Sequence, residues 1–214
     1  KYGEVIKRFV LRRHALKYFN RTRYKVCVDY NFLNWYRTYK NTDRNTIVIP
    51  NSTELCDERA VMEKLSRGKG TIRILFARRF ELFRGSRVIV ELIKRVLQEY
   101  DNVVFTIAGS GTDEGLIKTH FANEPKVKVM QYISEEAVKT AFDHDITLVP
   151  SFGSEGTSFS VVEGFAAGTA VVAFDTGGIT NMIINGYNGI LVGQDIDELC
   201  AAVKYLIQNG ADRN

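Results

Sequence analysis

Between Pro150 and Gly178 the sequence PSFGSEGTSFSVVEGFAAGTAVVAFDTGG sets two glutamates, Glu155 and Glu163, eight residues apart, with Gly156, Thr157, Ser158 and Ser160 between them. The stretch directly follows the apolar run ITLV, so the glutamates flank a place where a strand hands over to a helix. A helix over residues 160–167 presents, in its first turn, backbone N–H groups without intrahelical partners and a partial positive charge. A phosphate group suits such a helix start. Glu163, one turn in, is placed to accept hydrogen bonds from a diol such as a ribose, and Glu155 faces the same cavity from the preceding loop. Spacing alone leaves open that the pair is a helix cap and a solvated surface residue.

A second constellation is ARRFELFRGS, Ala77 to Ser86. Arg78 at a strand end and Arg84 before Gly85 converge on the same rim, and arginine offers a planar, multi-donor match to a diphosphate. Two cations opposite a helix N-terminus make an anion clamp. Arg79 and Arg87 read as members of an exposed basic loop.

The elements that position these groups follow from the hydrophobic pattern. From Thr71 onward, IRILFA (72–77), VVFTIA (103–108), VKVM (127–130), ITLV (146–149), AVVAF (170–174) and ILV (190–192) alternate with helix-length segments. Runs this continuously apolar suit parallel strands covered on both faces, and Ile89, Ile93, Val96 and Leu97 recur at helical spacing between two of them. The pattern predicts an α/β fold, a Rossmann-like doubly wound parallel sheet, with ligands at the carboxyl ends of its strands. Residues 1–46 differ: a basic helix over 3–19, a short strand at 24–28 and an aromatic-rich helical stretch, followed by TIVIPN and the polar segment ERAVMEKLSRGKG. One or two strands make no sheet core. The expected organisation is therefore 1–46 as the remnant of another domain, 47–70 as a linker and 71–214 as the ligand-binding domain.

At 214 residues and 24.2 kDa, with 45% apolar and 25% charged residues, the chain has globular composition and room for one domain plus part of another. It shows no apolar run of membrane-spanning length and no signal-peptide pattern, so a cytoplasmic location is expected. Cys27, Cys56 and Cys200 form neither a disulfide framework nor a paired-cysteine metal spacing. The net charge of +4 is concentrated in the first 25 residues, where Arg12, Arg13, Lys17, Arg21, Arg23 and Lys25 stand among nine basic residues facing Glu4 alone. With Ile6, Phe9, Val10, Leu16 and Phe19 beside them, these residues allow peripheral contact with the inner face of a membrane.

In these motifs the sequence resembles the retaining glycosyltransferases of the GT-B architecture, known as glycosyltransferase family four or glycosyl transferases group one. The likeness covers roughly Ile47 to Gln208, and VIPNS, ARRFELFRG, FTIAGSG, VMQYISEE, EGTSFSVVE, AAGTAVVAFDTGG and NGYNGILV come in the family's order. The resemblance implies the C-terminal, nucleotide-sugar-binding half of a GT-B enzyme of polysaccharide biosynthesis. Glu163 would hold the ribose, Glu155 would orient or electrostatically support the donor sugar, and Arg78 and Arg84 would neutralise the leaving diphosphate. Backbone amides of Gly156, Thr157, Ser158, Phe159, Ser160 and Val161 would bind sugar and phosphate oxygens. The backbone at Tyr132 and Ile133 would meet the base. No metal or other cofactor is required. The partners implied are a nucleoside diphosphate sugar and a glycan or lipid-linked acceptor, the latter held by an N-terminal domain that this chain lacks, so that the chain itself is expected to bind donor weakly and transfer nothing at a useful rate. Departures from the family pattern are Arg84 for its usual lysine, Gln131 for a glycine, and Thr180 and Asn181 in the turn GGITN.

Competing readings are weaker. GSGTDEG mimics a dinucleotide-binding turn through Gly109, Gly111 and Gly115, but Gln131 ends the next strand where such an enzyme wants an acid. DHD (Asp143 to Asp145) and DID (Asp195 to Asp197) mimic the metal-binding acidic triplet of a different glycosyltransferase architecture, but their places before a strand and a helix explain both. His14, His120 and His144 are scattered. A non-catalytic module that binds nucleotide, membrane or a partner is the alternative function. The aromatic residues of 30–39 raise single-stranded nucleic acid, but they suit an interdomain hinge better and no nucleic-acid partner is expected.

Overall fold

A computed structural model of the chain describes residues 2–39, 45–66, 70–153 and 155–210. The chain divides between Pro50 and Asn51 into two compact units.

In the first unit, α1 (Tyr2–Arg21), β1 (Lys25–Cys27), α2 (Tyr30–Tyr39) and β2 (Thr46–Val48) follow one another, and β1 pairs with β2 in parallel. The Asp29 carboxylate accepts the amide of Phe32 at 2.8 Å and starts α2. Leu16, Cys27, Leu33 and Tyr36 are buried together with half-buried Phe19, whose ring meets Phe32 and Tyr36 edge-on. Of the aromatic residues of α2, Tyr36 is buried and Phe32 touches Phe19 while Tyr30 is exposed, and Arg12 places its guanidinium 4.4 Å from the Trp35 ring. The expected apolar stripe of α1 divides: Leu16 faces inward, Val10 is exposed, and the side chains of Ile6 and Phe9 lie outside the described set.

The second unit holds α3 (Glu58–Ser66), β3 (Ile72–Ala77), α4 (Ser86–Leu97), β4 (Val103–Ala108), α5 (Glu114–Phe121), β5 (Val127–Met130), α6 (Ala137–Phe142), β6 (Ile146–Val149), α7 (Phe159–Ala166), β7 (Ala170–Phe174), β8 (Ile190–Val192) and α8 (Ile196–Gln208). The strands coincide with the apolar runs, and α7 begins one residue before the position expected. The six form a parallel sheet in the order β5-β4-β3-β6-β7-β8, the doubly wound order of a Rossmann-like fold. Alternation along β3 shows why the run is apolar throughout. Ile72, Ile74 and Phe76 face a core with Ile89, Leu92, Ile93 and Val96 of α4 and Leu199, Val203 and Leu206 of α8. Leu75 and Ala77 face the other side, where Ala108, Ala141 and Ala167 let α6 and α7 approach closely.

The polar segment expected to close the linker is helical as α3. Lys64 donates to the carbonyls of Ala167 and Gly168 at 2.9 and 3.3 Å, and a Cβ on Gly168 would come within 2.5 Å of Val61. A polar sequence hides this docking because a terminal ammonium and one glycine make it. Among the described residues no helix is long and apolar enough to cross a membrane.

Candidate functional site

The chain leaves β3 toward β4 on one side and returns at β6 to continue on the other, so a crevice opens between the carboxyl ends of β3 and β6. Three loops close around it. After β3, Gly85 turns with φ +87°, and a Cβ there would lie 2.3 Å from the Pro150 carbonyl oxygen. Phe152 donates its amide to Phe83 at 2.9 Å, so the loop bearing Arg84 is laced to the loop bearing Glu155. From β7, Gly178 donates to the Glu155 carbonyl at 2.8 Å, and a Cβ on Gly178 would meet the Gly156 oxygen at 2.2 Å. Only a residue without a side chain permits that stacking.

The structure brings Arg78, Arg84 and Glu155 into direct contact. Oε1 of Glu155 accepts from Arg78 Nη2, from Arg84 Nη1 and, at 2.6 Å, from Ser151 Oγ. Arg78 is buried, and the cost of desolvating its charge outweighs the attraction of Glu155, pulling the guanidinium down to about 10. It therefore stays charged at neutral pH. Its Nε is buried without a hydrogen-bond partner. Such an orphan donor is costly.

Glu163 lies buried in α7, and both its oxygens accept from the Tyr132 hydroxyl at 2.9 Å. Burial pushes the Glu163 carboxyl above the ordinary range, with Tyr132 and Arg78 pulling the other way. Burial and the neighbouring carboxylate together raise the Tyr132 phenol, which remains a hydrogen-bond donor.

At the start of α7, Val162 makes the first helical bond, to the Ser158 carbonyl. The amides of Phe159, Ser160 and Val161 precede it and face the crevice end of the helix. The three side chains go separate ways. The Phe159 side chain is 53% exposed, Val161 is in the core, and Ser160 Oγ donates to the Ala77 carbonyl at 2.9 Å. Ser158 sends its amide to Met182 Sδ at 3.3 Å, and the Thr157 carbonyl accepts from Asn51 Nδ2 at 2.8 Å. Gly156 lies against Gly178. The Ile133 side chain is half-exposed and its carbonyl accepts from Glu136. Ser151, Asn51 and Gly178 fall inside the motifs quoted above, but the motifs give them no role, and Met182 falls in none of them. Ser151 alone left a signal, as the polar residue after Pro150 at a strand end.

Other expectations are answered here too. Gly109 and Gly111 fit against the backbone of Arg78 and Phe80, where added Cβ atoms would lie 1.9 and 2.6 Å from carbonyl oxygens, so the dinucleotide-like glycines serve strand-loop packing. The Asp145 carboxylate accepts the Arg73 amide, and Asp195 caps α8 by accepting from Asp197 and Glu198. His144 is buried between the Thr140 carbonyl and Thr106 Oγ1. Arg87 is exposed on α4 rather than in a loop and pairs with the buried carboxylate of Asp113. A cavity of about 960 Å³ opens near the starts of β3 and β6, but basic Lys64, Arg73, Lys128 and Lys139 are matched by Glu63, Glu136, Asp143 and Asp145. It lies away from the switch-point crevice.

The family model for glycosyl transferases group 1 matches residues 71–209. This chain belongs to that family. Among curated relatives, the chain is 30% identical over 151 residues to the amylovoran biosynthesis glycosyltransferase AmsK of Erwinia amylovora, covering 66% of this chain and 37% of that one. It is 28% identical over 131 residues to the phosphatidyl-myo-inositol mannosyltransferase of Mycobacterium tuberculosis, covering 60% and 35%. The chain thus spans little more than a third of these relatives. In fold it resembles TarM of S. aureus, solved with UDP, at a TM-score of 0.76 and 19% identity over 94% of this chain and 41% of that one. It also resembles Anabaena HepE, solved with UDP and glucose, at 0.76 and 17% over 94% and 58%. The fold is the Rossmann-like half of GT-B glycosyltransferases.

Proposed function

We propose that residues 71–214 are the donor-binding domain of a retaining family-four glycosyltransferase that holds a nucleoside diphosphate sugar in the β3/β6 crevice, behind a linker at 47–70 and a remnant of the acceptor-binding domain at 1–46. One observation carries the reading: Arg78, Arg84 and the first turn of α7 meet in a single crevice, with the carboxylate of Glu163 at its flank. Two guanidinium groups and a helix start fit a diphosphate, and a buried carboxylate fits a ribose diol. Uridine diphosphate occupies the solved relatives TarM and HepE, which supports a nucleotide donor and makes UDP the first to try.

In this reading a glycosyl transition state sheds negative charge onto the diphosphate, and Arg78 and Arg84 are preorganised where that charge develops. Glu163 binds the ribose, the main chain at Tyr132 and Ile133 meets the base, and Glu155 orients the sugar. Retention follows from a front-face, oxocarbenium-like step, so Glu155 is no nucleophile. The two arginines supply the countercharge, and EDTA is expected to leave nucleotide binding unchanged. The acceptor is proposed to be a cell-surface glycan or lipid at the inner face of the membrane. Leu11 and Tyr18 of α1, each more than half exposed beside its basic residues, favour peripheral contact there. Sedimentation with anionic vesicles at physiological salt checks it. Sugar transfer is proposed for the whole protein. The present chain, spanning about a third of its relatives, is expected to show none with added acceptor.

Calorimetric titration with UDP, GDP, ADP and dTDP tests the site. One of them is expected to bind, and Glu163→Ala to weaken it about thirtyfold, the loss of hydrogen bonds to a charged group being worth roughly 2 kcal/mol. The ionised carboxylate is the form that accepts from a diol. Affinity therefore falls on acidification through the raised Glu163 value, at higher pH than an ordinary glutamate near 4.5 requires, and Glu163→Gln removes that component. The fold responds with the opposite sign. The native state takes up this proton more readily than the unfolded chain, so Glu163 adds stability as pH falls from its raised value toward the ordinary one. A nucleotide affinity indifferent to Glu163→Ala would sink the assignment.

A further inference from the structure

We infer that Glu155 is the resident anion of the diphosphate subsite: its carboxylate occupies the space between Arg78 and Arg84, an incoming diphosphate must displace it, and only a sugar-bearing donor gives it new partners. The inference rests on the donor-site reading above.

Three donors converge on one oxygen of Glu155, from Arg78, Arg84 and Ser151. The side chains of Arg78 and Glu155 are 6% and 5% exposed, and that of Arg84 is 22% exposed. The two guanidinium groups repel, and Arg84 indeed depresses the charged form of Arg78. Glu155 is what lets them stand together in the crevice. A diphosphate entering with Glu155 in place would set its own negative charge against a buried carboxylate, which a low-dielectric site penalises. The side chain has to leave, but the backbone stays: the Glu155 carbonyl is fixed by the Gly178 amide at 2.8 Å, and Gly177 packs against it. Rotation about a fixed main chain moves the carboxylate off the arginines to a place where it needs new donors.

The other ligand-facing groups have internal partners as well, with different consequences. The Ser158 amide is held by the Met182 thioether, a weak acceptor that a phosphate oxygen replaces at little cost. Tyr132 sits on Glu163 as a neutral hydroxyl, the same chemistry a ribose offers. Among these groups, only Glu155 is a charged competitor. A free nucleoside diphosphate ejects it and leaves it without partners, whereas the sugar of an intact donor presents hydroxyls to it. The site therefore favours intact donor over spent nucleotide by more than the sugar's own contacts, which assists product release.

Calorimetry of the chain with UDP, GDP, ADP, dTDP and UDP-glucose, on wild type, Glu155→Gln, Ser151→Ala and Glu163→Ala, tests this. Glutamine keeps the shape and one acceptor oxygen but removes the charge, so the nucleoside diphosphate that wild type binds is expected to bind Glu155→Gln about tenfold tighter, the scale of one buried charge interaction. Where UDP is that nucleotide, the preference for UDP-glucose over UDP shrinks in Glu155→Gln. Ser151→Ala frees one anchor of Glu155 without touching the charge and is expected to tighten binding about threefold, in line with one modest hydrogen bond. A purely structural role for Glu155 would weaken binding in both variants. Unchanged or weaker binding in folded Glu155→Gln, with Glu163→Ala still losing affinity, overturns the inference and leaves the donor site standing. If Glu155→Gln fails to fold, Ser151→Ala decides in the same way. No binding of any nucleotide to wild type overturns both.

Discussion

Replacing Arg78 by alanine is expected to weaken nucleoside diphosphate binding by about a hundredfold, roughly 3 kcal/mol, because a desolvated, charge-assisted contact to phosphate is worth that much and its neighbour cannot cover for it. Arg78 sits immediately after β3, is buried, and its Nε has no hydrogen-bond partner. Water replaces its contribution poorly. Arg84 approaches the same oxygen of Glu155 from the rim with its side chain 22% exposed, so Arg84→Ala is expected to cost about tenfold, closer to the value of a partly solvated charge. The fold should survive both. Arg78→Ala removes a costly buried charge and leaves Glu155 with Arg84 and Ser151, so its thermal midpoint should stay within a few degrees of wild type. Calorimetry paired with a thermal melt checks this, and equal effects of the two substitutions would show that burial does not rank them.

Gly109→Ala carries the largest expected effect on stability. A Cβ at this position would lie 1.9 Å from the Arg78 carbonyl oxygen and 2.7 Å from the Phe80 ring. Main chain cannot yield as a flexible side chain does, so the loop after β3 has to move, at an expected cost of about 3 kcal/mol in urea denaturation. The segment displaced carries Arg78, so nucleotide affinity falls with stability. Gly115→Ala supplies the contrast. Gly115 lies in α5 with nothing within 4 Å of an added Cβ, and alanine has the higher helix propensity, so its variant should match or slightly exceed wild type. Comparable losses at both positions would refute the close-packing account of Gly109.

The same glycine shows where a motif misleads. Read along the chain, GSGTDEG has the glycines of a dinucleotide turn. In three dimensions Gly109 and Gly111 fill contacts to a neighbouring loop, a role spacing cannot distinguish from phosphate binding because both ask for a missing side chain. The linker segment ERAVMEKLSRGKG misleads in the other direction. Its polar composition hides α3, which docks through the Lys64 ammonium and the notch at Gly168 rather than through an apolar stripe.

By itself the sequence determined the parallel sheet, the boundaries of its strands and the identity of the two arginines and two glutamates at its carboxyl edge. Continuous apolar runs have one favourable burial in a sheet covered on both faces, and the residue after such a run must stand at the strand end. The tertiary structure alone decided how those charges meet. Glu155 reaches Arg78 and Arg84 across 77 and 71 residues of chain, Tyr132 reaches Glu163 across 31, and Ser151 anchors the first of these clusters. Such pairings depend on glycine notches at Gly85, Gly177 and Gly178 that set loop against loop to within a few ångströms. Local pattern carries information about burial and backbone period, whereas the partner of a buried charge is fixed by the order in which strands assemble.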